Sequence, residues 1–188
     1  MDSLFRWTLM GVVGLLLIGC AQQPVRDRSS AFYQVPAGSE LTLHDTVAIK
    51  PGHTRTFAQR GVVTEHSDLD QYYPSCSFEV RDLREEPQQI NPDSFVVTRV
   101  QLGFSQIVAI PSIQLAGWNG GLRRLGLSSR ERGEPLVASF YHLWLSSSQQ
   151  PNVMRLTCYG AMADLSESFR PTFSEIEEAL GALATIEP

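Results

Sequence analysis

Lysine is almost missing from this 188-residue chain: Lys50 stands alone among 15 basic residues. Against 20 acidic residues the formal charge is −5. That is the wrong sign for a protein that holds nucleic acid through a basic footprint, so no nucleic-acid partner is expected. Cysteine is nearly as scarce. Three residues are too few for a disulfide scaffold or for a zinc finger built from cysteine alone. The histidines, His44, His53, His66 and His142, form no H-x-H, H-x-x-x-H or H-E-x-x-H pattern, so no metal or cofactor is expected. Also missing are a G-x-S-x-G elbow, an S-x-x-K pair and a G-x-x-x-x-G-K-[ST] phosphate loop. With no nucleophile motif and no paired acid/base carboxylates, the chain is read as a non-enzyme. What is present is ordinary globular composition, 43% apolar and 19% charged, which excludes a disordered chain. The length fits one domain, and no internal repeat is visible.

One apolar run stands apart, Trp7 to Ile18 (WTLMGVVGLLLI), preceded by a short polar start carrying Arg6 and Asp2. As a helix it would span about 18 Å, against about 30 Å of hydrocarbon in a bilayer. That length suits the apolar core of a secretory leader better than a permanent membrane span. The run ends in Leu17-Ile18-Gly19-Cys20. Here the chain resembles bacterial lipoprotein precursors, whose lipobox is a branched apolar residue, a small or apolar one, a small one and an obligatory Cys. The thiol accepts the diacylglycerol group, and the small residue before it lets a peptidase reach the bond. The resemblance implies cleavage before Cys20, acyl chains such as palmitate on it, and a lipid-anchored envelope protein. Ala21, Gln22 and Gln23 follow the Cys where an inner-membrane retention signal would place Asp. The analogy therefore favours the outer membrane, with the chain facing the periplasm.

The expected organisation is a leader over 1–19, a lipidated tether over 20–38 and one β-rich periplasmic domain over 39–188. The tether is polar and aperiodic, and Phe32, Tyr33 and Val35 are placed to dock on the domain edge. From Glu40 onward alternation dominates. Leu41, Leu43, Val47 and Ile49 share one face, interrupted by Asp45. Lys50-Pro51-Gly52 is a turn, and a second strand covers Thr54 to Val63. Cys76, Phe78 and Val80 alternate with Ser77, Glu79 and Arg81. In Phe95 to Phe104, Val96, Val100, Leu102 and Phe104 are assigned to one face. Ile107 to Ile113 is a shorter candidate, bent by Pro111. Leu136 to Leu145 is apolar on both faces and reads as a central strand. Val153 to Met162 follows a polar hairpin loop. The fold class is mainly β (α+β): an antiparallel β-sandwich or open barrel of six or seven strands. A C-terminal amphipathic helix is expected over 172–184, because Thr172-Phe173-Ser174-Glu175 is a capping box and Phe173, Ile176, Leu180 and Leu183 recur at helical spacing.

Once Cys20 is given to lipid, Cys76 and Cys158 remain, both in strand patterns and both in an oxidising compartment. One disulfide between them is expected. His142 alternates with Phe140 and Trp144, which favours a hydrogen-bonded core histidine over a ligand. His44 and His53 could meet across the first hairpin. Glu65-His66-Ser67-Asp68-Leu69-Asp70 gathers carboxylates but lacks the glycine and distal glutamate of a calcium loop, so a solvated loop is expected. The stretch Leu115 to Pro135 (LAGWNGGLRRLGLSSRERGEP) joins glycines to Trp118, Arg123, Arg124, Arg130 and Arg132. Arginine forks hold phosphate or carboxylate, and Trp anchors interfaces, so these five are the candidate partner-binding residues. The expected role is a membrane-anchored binding or assembly module with an envelope protein or cell-wall partner. The alternatives are an envelope hydrolase acting on cell-wall or lipid material, and a structural subunit of an envelope machine.

Overall fold

A computed structural model describes residues 25–28, 30, 32–106, 136–164 and 168–188. The leader, Cys20, the 107–113 candidate strand and the five residues Trp118, Arg123, Arg124, Arg130 and Arg132 lie outside the described residues.

The fold is mainly β. Eight antiparallel strands form an open half-barrel whose spatial order departs from chain order. From one end it runs β11 (Ala184–Glu187), β1 (Glu40–Leu43), β7 (Asp93–Gln106), β8 (Leu136–Ser146), β9 (Val153–Tyr159), β5 (Ser75–Val80), β3 (Arg55–Gln59) and β4 (Val62–Thr64). A short β10 (Ala163–Asp164) takes over the edge of β8 where β9 leaves it, pairing Ala163 with Val137. Two further strands, β2 (Val47–Ile49) and β6 (Gln88–Ile90), pair only with each other. The described residues thus hold eleven strands, not six or seven. The second sheet is too small to be the other layer of a sandwich, so the open-barrel form of the expectation is the one observed.

The helix α1 (Phe173–Leu180) buries Phe173, Ile176, Ala179 and Leu180. It packs against β3 and β5 near one end of the strand order and against β11 at the other, so it bridges the opening. Its apolar face joins Leu41, Phe78, Phe95, Leu143 and Leu156, all wholly buried, in one core. Tyr33 and Val35 are buried in that core as well, whereas Phe32 is 73% exposed. No described helix is long and apolar enough to cross a membrane.

Several expectations are corrected. The alternation over residues 40–49 is broken at Asp45 into β1 and β2, which enter different sheets. The 54–63 strand is a hairpin, because Arg60 and Gly61 take φ of 52° and 73°, the positive-φ pair of a tight two-residue turn. In β7 the assigned face is wrong before Thr98. Phe95 and Val97 face the core, and Val96 is 50% exposed. Pairing with β8 slips between Val97 and Arg99, and such a bulge moves every later side chain to the other face. Val100 and Leu102 then turn inward. The helix ends at Leu180 rather than 184. Its capping box is present as expected, with Glu175 N–H donating to Thr172 Oγ1 and Thr172 N–H donating to Glu175. At Gly181 the chain reverses (φ 53°, ψ −131°), and the last residues pair with β1. Leu183 is buried beyond the helix.

Candidate functional site

Strand alternation puts Cys76 and Phe78 on the core face, so Ser77 and Glu79 project from the other. Register then builds rows of side chains on that second face. One row is Arg55, Glu79, Arg155 and Trp144; the next is Phe57, Ser77, Thr157, His142 and Gln101. Glu79 is only 3% exposed, which for a lone carboxylate would be prohibitive. Arg155 answers it with two nitrogens on Oε2, at 2.8 Å and 2.7 Å. Arg55 lies 3.8 Å from Oε1, and Thr157 Oγ1 donates to that oxygen at 3.5 Å. The guanidiniums of Arg99 and Arg155 lie over the Trp144 ring, 4.2 and 5.2 Å from its centroid. Ser77 Oγ and Trp144 Nε1 are buried with no hydrogen-bond partner among the described residues.

His142 belongs to this network. Its Nδ1 lies 2.8 Å from Thr157 Oγ1. With the Thr157 proton directed at Glu79, Nδ1 is assigned as the N–H donor. Burial lowers the His142 pKa, the Arg155 and Arg55 charges lower it further, and Glu79 opposes them. The imidazole is therefore held neutral. Thr157 has no exposed surface, so its hydroxyl is not presented to a substrate. The carboxylate contacts the threonine, not the histidine, and the order of a nucleophile–base–acid relay is absent. His44 and His53 do not meet: His44 Nε2 pairs with Thr185 Oγ1 at 3.1 Å and His53 Nδ1 with Pro51 O at 2.8 Å.

Beyond the network, the same face opens into a cleft of about 370 Å³. Its floor is Arg55, Phe57, Ser75 and Tyr159, and its wall is the loop carrying His66, Asp70 and Tyr73. The opposite rim is Ser105 and Ala138, paired across β7 and β8. One side chain pins the loop. Gln59 Nε2 donates to the carbonyls of Asp70 (2.9 Å) and Tyr73 (3.1 Å), and Gln59 Oε1 accepts from Asp70 N–H at 3.0 Å. Arg60 covers the Tyr73 ring at 3.7 Å. The loop's carboxylates are engaged singly: Glu65 with Lys50 at 2.7 Å, Asp68 with Ser67 and Asp70 with Tyr72 N–H. No group of three potential metal ligands occurs among the described residues. Burial raises the Tyr159 pKa, leaving a neutral phenol beside the Arg55 cation. Rings, a guanidinium, a carboxylate and hydroxyls thus converge, which suits stacking on a sugar ring while bonding its hydroxyl and carboxylate groups.

Cys76 and Cys158 are paired in register and form the expected disulfide, S–S 2.03 Å. The cleft residues were not singled out by sequence, apart from the 65–70 cluster. Arg55, Gln59 and Tyr159 carry no local pattern that marks them. No protein-family model, curated protein or solved structure matches the chain.

Proposed function

We propose that this protein is a lipid-anchored envelope lipoprotein of the outer membrane, facing the periplasm, whose domain is a binding module for cell-wall glycan. The Leu17-Ile18-Gly19-Cys20 lipobox supports the anchor, and a strand-to-strand disulfide fits an oxidising compartment. The observation that carries the binding reading is the cleft lined by Arg55, Phe57, Tyr73 and Tyr159. Arg55 offers donors to a glycan carboxylate while the rings pack on sugar faces. Trp118, Arg123, Arg124, Arg130 and Arg132 remain a second candidate set, on their residue types alone.

Two experiments test this. Replacing Cys20 by Ser should abolish lipid labelling, and a variant that partitions with membranes like the wild type overturns the anchor. Arg55→Gln with Tyr73→Ser should leave the domain folded, since each is 44% exposed and Arg155 still holds Glu79. Pull-down on purified cell-wall sacculi should weaken roughly thirtyfold, the equivalent of about 2 kcal/mol. Trp118→Ala with Arg123→Ala and Arg124→Ala should weaken the same association. Unchanged sacculus binding in both sets overturns the glycan reading, and steady hydrolytic turnover of sacculi by the purified protein overturns the non-enzymatic one.

A further inference from the structure

We infer that the domain's apolar end lies in the headgroup layer of the membrane, so that the protein is docked on the bilayer rather than swinging from its anchor. This rests on the lipid-anchor reading above. The observation is a groove of about 450 Å³ that includes Phe32, Ala161, Ala163, Phe169 and Arg170 in its lining. Phe32 is 73% and Phe169 78% exposed. A third ring belongs to the same end. Phe104, 71% exposed, pairs with Ser139, whose Oγ lies 3.1 Å from Ser168 Oγ, one residue before Phe169. Scattered exposed apolar residues need no explanation, but large rings gathered at one place do.

The chain says what covers them. Tyr33 is buried, with its carbonyl accepting from Tyr141 Oη at 3.3 Å, so the fold begins there. Phe32 is the adjoining residue and lines the groove. The tether therefore leaves the domain from its apolar end. Only twelve positions separate Phe32 from Cys20, a reach of about 40 Å at full extension. Any shorter tether path brings these rings nearer the surface that holds Cys20. The charges agree. Arg170 lines the groove, and exposed Arg26 and Arg28 sit on the tether, with Arg28 5.6 Å from the Phe173 ring centroid. The groove's carboxylate, Glu175, is engaged by Thr172 N–H and Oγ1. Aromatic rings flanked by arginines suit the interface between acyl chains and anionic headgroups.

The test uses the processed, acylated protein reconstituted into vesicles of phosphatidylethanolamine and phosphatidylglycerol at about 3:1, with and without brominated acyl chains. Phe169→Trp and Phe104→Trp are compared with Leu83→Trp, a site 63% exposed beyond Val80, at the far end of β5 from the Ser75–Tyr159 pair. Fluorescence added over the parent should be quenched by bromine at least twofold more at 169 and 104 than at 83. Co-flotation of the same samples reads the anchor independently. Protein that floats while 169 and 104 are quenched no more than 83 overturns the docking inference alone. Protein that fails to float overturns the anchor, and the docking with it. Two aromatic sites keep the result readable if one substitution disturbs folding.

Discussion

His142 shows how a single side chain is set by its neighbours. Burial and the Arg155 cation hold its pKa below 6.5, while the unfolded chain titrates near that ordinary value. Its contribution to stability is complete above about pH 6.5 and is lost as pH falls through the lowered folded-state pKa, because the unfolded state then binds more protons. Urea midpoints should therefore drop between pH 7.5 and 5, and His142→Gln should flatten that drop. An equal slope in the variant refutes the assignment. Asp93 acts lower on the scale. Burial raises its pKa, but bonds from Ser147, Gln150 and the Ser94 amide outweigh that and hold it below 3.8, so its stabilisation fades only in stronger acid. The disulfide is the other residue-scale device. Joining positions 82 apart in sequence, it should contribute at most about 4.5 kcal/mol by the chain-entropy relation. Cys76→Ala with Cys158→Ala should lower unfolding free energy by a few kcal/mol, measured against denaturant. A loss below about 1 kcal/mol would show that the strand pairing alone holds this region.

Among the elements, the α1 terminus and the β3–β4 turn support each other. Gly61 N–H donates to the Ala179 carbonyl at 3.0 Å, and a Cβ on Gly181 would lie 2.6 Å from Gly61 Cα. Gly181 also takes a positive φ with extended ψ, where side chains are strained. Gly181→Ala should cost roughly 2–4 kcal/mol from strain and overpacking together. Gly52→Ala is the control, with a φ of 72° but nothing within 4 Å, and should cost roughly 1–2 kcal/mol. Equal losses in the two variants would remove the contact from the explanation. At the other end of the helix, Thr172→Ala should cost about 1 kcal/mol as a lost cap. The helix start was legible because a capping box is local: four consecutive residues close it. Its stop was not, because Leu183 continues the apolar spacing and only pairing of β11 with β1 draws the chain away. The β7 bulge was hidden for a similar reason. Nothing in Val96 to Leu102 marks the slip, which arises in the match to β8.

At the scale of the whole molecule, the two faces of one end of the sheet carry different chemistry, with Gly160 lining both the cleft and the apolar groove. The cleft gathers polar groups and rings on the outer face of the sheet, and the apolar end lies where the tether departs. Read along the chain, adjacent residues determine a good deal: the apolar leader and lipobox, the alternation that marks a β-rich fold, the capping box, and the cysteine pair left once Cys20 is assigned. Each depends on a pattern of period two, on helical spacing or on a short motif, and such patterns survive without knowledge of the fold. What tertiary structure alone decided is which segments share a face and which end they reach. Arg55, Tyr73, Ser105, Ala138 and Tyr159 meet in one cleft only because β3, β5, β9, β8 and β7 lie side by side in that order. Phe32 and Phe169 meet only because the C-terminal segment returns past β8. Strand order and register are sums of many weak, distant pairings, and one bulge reverses the face of everything after it, so no stretch of sequence holds them by itself.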